Sequence, residues 1–313
     1  MSLACGIDVG GTKIAGGVVD AEGVLLEELR VESPAADMEA MEVAIAGLVT
    51  ELASRHAITA VGIGAAGYID KDRARVLIAP NLAWRDVPLK DDLEERIDLP
   101  VVVENDANAA AWGEFTFGAG HDVDDLLLVT VGTGVGGGLV LDGALYRGGF
   151  GVAAEIGHLR LVPEGIDCGC GRRGCFEQYA SGTALVRQTR AAAEADPPGA
   201  RHVLDRARGR SEDIKGPMVT DAARAGDAFA LERIAVLGSW LGQGLASLTA
   251  VLDPTVIAIG GGVSEADDLL LDPARQAFAE HLPGREHRPL AEIRRAALGN
   301  QAGMIGAADL ARR

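Results

Sequence analysis

The sequence predicts an α/β protein made of two similar halves, and three observations carry that expectation. The chain has 313 residues, enough for two domains at roughly 150 residues each. Short apolar strand patterns alternate with helical ones, the pattern of layered α/β packing. A strand–glycine turn–strand unit also occurs twice. Val129-Thr130-Val131-Gly132-Thr133-Gly134 resembles Ile7-Asp8-Val9-Gly10-Gly11-Thr12 at an offset of 122 positions, where Gly16 also matches Gly138 and Asp20 matches Asp142. A unit repeated near the start of each half points to duplication, with two glycine loops facing one cleft.

Each element follows from local pattern. Residues 4–9 read as a buried strand, and Ile14 to Val19 as a second that turns at Asp20-Ala21-Glu22-Gly23 into Val24-Leu25-Leu26. Over residues 37–56 a helix places Met38, Met41, Ile45, Leu48, Val49 and Leu52 on one face. A strand at Val61 to Gly64 follows, then a helix near 89–97 that stops before Pro100. Val101-Val102-Val103 is a buried strand, and an Ala-rich helix starts just after Asp106. In the second half, helices are expected around 175–193 and 217–251, with a surface loop at Ala195 to Gly199. The strand Thr255 to Ile259 ends in Gly260-Gly261-Gly262, and a last helix covers Met304 to Arg312.

Composition narrows the function. The net charge of −17 repels phosphate backbones and anionic lipid, so no nucleic-acid or membrane partner is expected. No run of 18 apolar residues and no basic start followed by an apolar stretch are seen, so a cytoplasmic protein is expected. Glycine, at 42 residues, is almost double its usual share of about 7%. Many tight turns and close backbone approaches follow.

Three segments carry chemistry. In Asp8-Val9-Gly10-Gly11-Thr12-Lys13 the glycines let backbone N–H groups approach an anion, Thr12 adds a hydroxyl, and Lys13 a charge. Asp8 is placed to hold Mg²⁺ through water. An ordinary hairpin fits the same residues equally well. The loop is neither a Walker loop nor a dinucleotide fingerprint, because a strand follows it. Glu104-Asn105-Asp106 puts three polar side chains at the C-terminal edge of an apolar strand, where open α/β sheets bind ligands. By position alone, Asp106 is also a helix cap. Between Glu155 and Glu177, His158, Cys168, Cys170 and Cys175 form a Cys₃His donor set. Three thiols within eight residues suit a closed tetrahedral Zn²⁺ better than disulfides, and such zinc is structural.

The segment E-x-G-H-x6-G-x2-C-x-C-G-x2-G-C-x-E, matched here from Glu155 to Glu177 without a gap, resembles the ROK family (repressors, open reading frames, kinases) of the actin-like ATPase superfamily. The resemblance covers essentially the whole chain, including both glycine loops, Asn105-Asp106 and the Gly260 turn. It implies a duplicated actin-like ATPase (ribonuclease H-like) fold, with two α/β domains hinged around a deep cleft. The small domain would hold residues 1–108 and about 300–313, and the large one 109–299 with the zinc site. The resemblance makes Asp106 the general base toward a sugar hydroxyl, with no need of a strongly raised pKa. Asn105, Glu155, His158, Glu177 and, through its backbone, Gly67 would contact the sugar. Gly10, Gly11, Thr12, Lys13, Gly132, Thr133 and Gly134 would cradle the ATP phosphates. Gly260, Gly261 and Gly262 would leave room for adenosine. His158 would serve twice, one ring nitrogen on zinc and the other toward the sugar.

The activity this implies is ATP-dependent phosphorylation of glucose at the 6-hydroxyl. Glu155, His158 and Glu177 followed by Ser181-Gly182-Thr183-Ala184-Leu185 resemble the glucokinase branch. Kinases of N-acetylmannosamine and N-acetylglucosamine share most of that pattern, and polyphosphate is the alternative donor. Repressors of the family carry a helix-turn-helix ahead of the sugar domain, for which a glycine loop starting at residue 10 leaves no expected room. A sugar-sensing protein with a dead site would not need Asp106 and both loops. The family pattern suggests a homodimer or homotetramer.

Overall fold

The computed structural model describes residues 2–313, which group into two compact units. The first holds residues 2–128, 137–154 and 296–313; the second holds Val129–Gly136 and Glu155–Arg295.

In the first unit the chain runs β1 (Leu3–Val9), β2 (Lys13–Val19), β3 (Leu25–Glu32), α1 (Met38–Ala53) and β4 (Ile58–Ala65). A small sheet follows, β5 (Tyr68–Ile69), β6 (Val76–Ile78) and β7 (Arg85–Val87), then α2 (Leu89–Glu94), β8 (Val101–Asn105) and α3 (Asp106–Phe117). The main sheet has the order β3-β2-β1-β4-β8, with β1 antiparallel to β2 and parallel to β4, which is parallel to β8. Its core is built from Ile7, Ile14, Ile45, Leu52, Ile63, Trp84 and Val103. The C-terminal helix Ala302–Ala311 lies against the strands so closely that side chains have no room. A Cβ on Gly6 would stand 1.9 Å from the Met304 carbonyl oxygen, and one on Gly62 would stand 1.8 Å from that of Ala307.

The second sheet repeats the plan. β9 (Leu126–Val131), β10 (Val135–Leu141) and β11 (Ala144–Leu145) join two later strands, β12 and β13, described below. β10 starts and ends 122 positions after β2, as the sequence offset requires. Helices α4 (Glu177–Ala180), α5 (Gly182–Ala195), α6 (Arg201–Arg206), α7 (Gly216–Arg224) and α8 (Ala228–Leu252) precede β12 (Val256–Gly260), α9 (Asp268–His281) and β13 (Glu292–Arg295). The order β11-β10-β9-β12-β13 is that of the first sheet.

Several expectations are revised by local chemistry. β3 is longer than Val24 to Leu26 because its charged tail, Glu27 to Glu32, pairs along an edge where polar residues are tolerated. Met38 is 44% exposed, although Met41, Ile45, Leu48, Val49 and Leu52 are buried as expected; it follows the N-cap Asp37 in the first turn. The helix expected at 175–193 breaks at Ser181, whose hydroxyl caps α5 by accepting from the Ala184 N–H at 3.1 Å. The helix at 217–251 breaks at Gly226, with φ +83°, and restarts on the Asp227 cap. α8 is long and apolar enough to cross a membrane, with 56% of its most apolar window buried; Glu232, Arg233 and Gln243 keep it from being an unbroken apolar run. Gly238 and Gly242 bring it against α9, where a Cβ would stand 2.7 Å from the Leu270 oxygen and 2.3 Å from that of Ala274.

Candidate active site

In the first unit, strand register gathers the chemistry at one sheet edge. Asp8 pairs across from Gly64, Gly64 from Glu104, and Ala65 from Asn105. Asp106 opens α3 immediately beyond. Asn105, not Asp106, is the cap: its Oδ1 accepts from the Asn108 N–H at 3.0 Å. Its Nδ2 donates to the Gly67 carbonyl at 3.1 Å, so the two expected sugar contacts hold each other. The Asp106 carboxylate accepts from the Ala107 N–H at 2.9 Å.

Asp8 and Asp106 form a half-buried acidic pair at this edge. Burial, reinforced by the charge of Asp106, pushes the Asp8 carboxyl up to about 6, and burial raises Asp106 as well. A raised pKa for Asp106 is more than the sequence predicts, because strand patterns do not show how deep an edge lies. Two nearby carboxylates short of water are a donor set suited to a hard cation. The Gly10–Lys13 hairpin beside them is tight, with the Gly10 N–H donating to the Lys13 carbonyl at 3.1 Å while Gly11, Thr12 and Lys13 stay exposed. The Gly10 donor is therefore used within the turn.

The raised Asp8 pKa makes a stability prediction. A carboxylate protonated more readily when folded than unfolded stabilises the fold below its unfolded pKa, near 3.9, and loses that contribution as pH rises through about 6. Above that, the ionised group is a burden on the order of 2–3 kcal/mol at about 1.4 kcal/mol per pH unit. Asp8→Asn is expected to raise the Tm at pH 7.5 without added Mg²⁺, with the gain vanishing toward pH 4. Thermal melts at both pH values check it; a variant less stable at pH 7.5 contradicts it.

In the second unit, His158, Cys168, Cys170 and Cys175 place one ligand atom each within 4.8 Å of one another. Cys170 and Cys175 sulfurs lie 3.6 Å apart, and Cys168 Sγ lies 3.7 Å from His158 Nδ1. A tetrahedron with Zn–S bonds of about 2.3 Å has edges of about 3.8 Å, so the set fits zinc. The turn that closes it has the Gly171 N–H donating to the Cys168 carbonyl at 3.0 Å. Gly174, at φ +76°, packs where a Cβ would stand 1.6 Å from the Val162 oxygen. Nδ1 is the imidazole nitrogen that faces Cys168. Glu177, at the start of α4, sets its Oε1 3.1 Å from Cys168 Sγ, and its other oxygen occupies the space that a side chain on Gly134 would fill. Glu155 immediately precedes the short turn Ile156–His158.

A cavity of about 920 Å³ lies in the same unit, lined by Gly132 and Thr133 of the second glycine loop, Gly262 and Val263, and the facing sides of α5 and α7. The Gly182 N–H donates to the Gly132 carbonyl at 2.7 Å, and Thr183 Oγ1 donates to that of Thr133 at 2.6 Å, so the start of α5 fixes the loop. Of the expected nucleotide residues, Gly132, Thr133 and Gly262 line this cavity, whereas Gly260 ends β12 and Gly261 makes the turn at φ +83°. The α5 and α7 lining, including Arg190, Glu194, Asp221 and Arg224, carries no sequence signal, because helix-to-helix distance is not written in local pattern. Glu104 departs most from expectation: it is 1% exposed and ion-paired inside the unit rather than open at the edge.

Residues 4–313 match the ROK family model. The chain is 50% identical over 312 residues to a glucokinase of Streptomyces coelicolor, covering 100% of this chain and 98% of that protein. It is 34% identical to an N-acetylmannosamine kinase of Yersinia pseudotuberculosis, over 100% and 99% of the two chains. A ROK family glucokinase of Streptomyces griseus, solved in complex with glucose and AMPPNP, superposes with a TM-score of 0.90 at 51% identity, over 99% of each chain. The repeated five-stranded sheets are those of the duplicated actin-like ATPase fold. With a family model spanning nearly its full length, this chain belongs to the ROK family.

Proposed function

We propose that the chain is an ATP-dependent glucokinase that phosphorylates the 6-hydroxyl of glucose. The observation that carries this is identity of one half, over the whole length, with a protein named glucokinase. The N-acetylmannosamine kinase stands further off, at 34%.

Asp106 takes the proton as the 6-oxygen attacks the γ-phosphorus and ADP leaves. Its raised pKa brings it nearer the operating pH, where a general base combines availability with driving force. Asn105, Gly67, Glu155, His158 and Glu177 hydrogen-bond the sugar, with His158 held through Nδ1 so that Nε2 presents a fixed N–H. Gly10 to Lys13 and Gly132 to Gly134 would cradle the phosphates, and Gly260 to Gly262 would leave room for adenosine; of these, Gly132, Thr133 and Gly262 line the α5–α7 cavity. Phosphoryl transfer needs positioning and charge neutralisation more than covalent chemistry. Asp8 would hold Mg²⁺ through water, and when bound that ion neutralises phosphate charge. The Cys₃His set would hold zinc in a structural role. A small domain of 1–108 and about 300–313, a large one of 109–299, a homodimeric or homotetrameric assembly and a cytoplasmic setting complete the proposal.

The test is a coupled assay with ATP over glucose, mannose, fructose, N-acetylglucosamine and N-acetylmannosamine. Glucose is expected to have the highest kcat/KM, with mannose lower several-fold to hundreds-fold, because polar groups left unpaired at the 2-position cost rate. A higher kcat/KM for N-acetylmannosamine than for glucose would overturn the assignment.

A further inference from the structure

We propose that Glu104 is a positioning residue for Asp106, acting through a buried ion cluster that grips both sides of the base. The inference rests on Asp106 as the base.

Glu104 sits one residue before the end of β8, 1% exposed. Its Oε1 accepts from the Asn105 N–H at 2.9 Å and from Asn108 Nδ2 at 3.1 Å. Those residues lie immediately before Asp106 and two positions after it, so one oxygen spans the first turn of α3. Its Oε2 is paired with Arg147 Nε at 2.7 Å and Arg73 Nε at 3.0 Å. Arg147 in turn donates to the Lys71 and Asp70 carbonyls, each at 2.8 Å. The Arg73 carbonyl accepts from the Val103 N–H at 2.9 Å, with Arg73 at φ +57°. The end of β8, the 70–75 turn and the segment around Arg147 are thus locked to one carboxylate.

Stability alone does not account for this arrangement. Asn105 already caps α3. Buried charges lose hydration that their mutual attraction only partly restores, so apolar replacements of buried ion clusters often fold as well or better. The neighbours Val101 and Val103 show that β8 accepts buried valines. What a carboxylate supplies, and a valine or glutamine does not, is hydrogen-bond acceptance at one oxygen and negative charge facing two guanidinium groups at the other. A glutamine has one acceptor oxygen. Whichever way its amide turns, either the Asn105–Asn108 donors or the two guanidinium groups face an N–H₂.

The experiment is a double-mutant cycle on kcat between Glu104→Gln and Asp106→Asn, measured well below each variant's Tm. Acting through Asp106, Glu104→Gln is expected to lower kcat about 10-fold or more in the parent, but less than about 3-fold when Asp106 is already asparagine. A general structural loss lowers kcat by the same factor in both backgrounds and would overturn the proposal, as would an unchanged kcat in Glu104→Gln alone. Arg147→Met, which leaves Glu104 paired with Arg73, runs the same cycle should Glu104→Gln fail to fold. The base assignment fails separately, if Asp106→Asn alone keeps a near-parental kcat.

Discussion

Asp106→Asn is expected to lower kcat by at least ~10²-fold, because a general base typically contributes 10²–10⁴-fold. Glucose affinity should change far less, since the amide keeps hydrogen-bonding capacity at the same place. The backbone should be unaffected as well, because Asn105 and not Asp106 caps α3. Asp106→Asn therefore separates chemistry from folding in a way the sequence, with Asp106 at a helix start, does not promise. Steady-state kinetics with glucose titration checks it. Near-parental turnover would reduce Asp106 to a structural carboxylate.

The second large effect concerns the Cys₃His set. Structural zinc contributes about 10–16 kcal/mol to the folding of small zinc modules. The 155–178 segment has little regular secondary structure: two isolated bridges, Arg160 with Cys175 and Asp167 with Arg173, turns, and the buried anchors Ile156 and Phe176 hold it beside the ligand set. Metal analysis should find about one Zn²⁺ per chain. Cys170→Ser should lose most of it, speed amide exchange across 155–178 and weaken glucose binding, because His158 would no longer be fixed through Nδ1. A chain that contains no metal, or a Cys170→Ser variant with parental exchange and glucose affinity, would refute the site.

How much of this was legible in the sequence depended on range. The zinc set was legible because all four ligands lie within 18 residues, and spacing alone fixes the donor count. The duplication was legible because the 122-position offset survives in both glycine loops and returning strands. The polar run Glu104-Asn105-Asp106 was legible because it stands out against Val101 to Val103, whereas the role expected of Asp106 came from the family resemblance. The misreadings arose where a side chain's neighbours are remote in the chain. Glu104 sits in sequence where an edge ligand belongs, but Arg73 and Arg147, 31 and 43 positions away, pair with it. The Asp8 shift comes first from burial, and the charge of Asp106 that reinforces it lies 98 positions away. Breaks at Ser181 and Gly226 were hidden because apolar periodicity continues across a capping residue.

The central claim is transfer of the γ-phosphoryl group of ATP to the 6-oxygen of glucose. Its most direct test is to incubate the purified chain with ATP, Mg²⁺ and glucose and to identify the products by ³¹P NMR. Glucose 6-phosphate and ADP in equal amounts, both strongly reduced with Asp106→Asn, are the predicted result. ADP and free phosphate without a sugar phosphate, or phosphate on another hydroxyl, would contradict the claim.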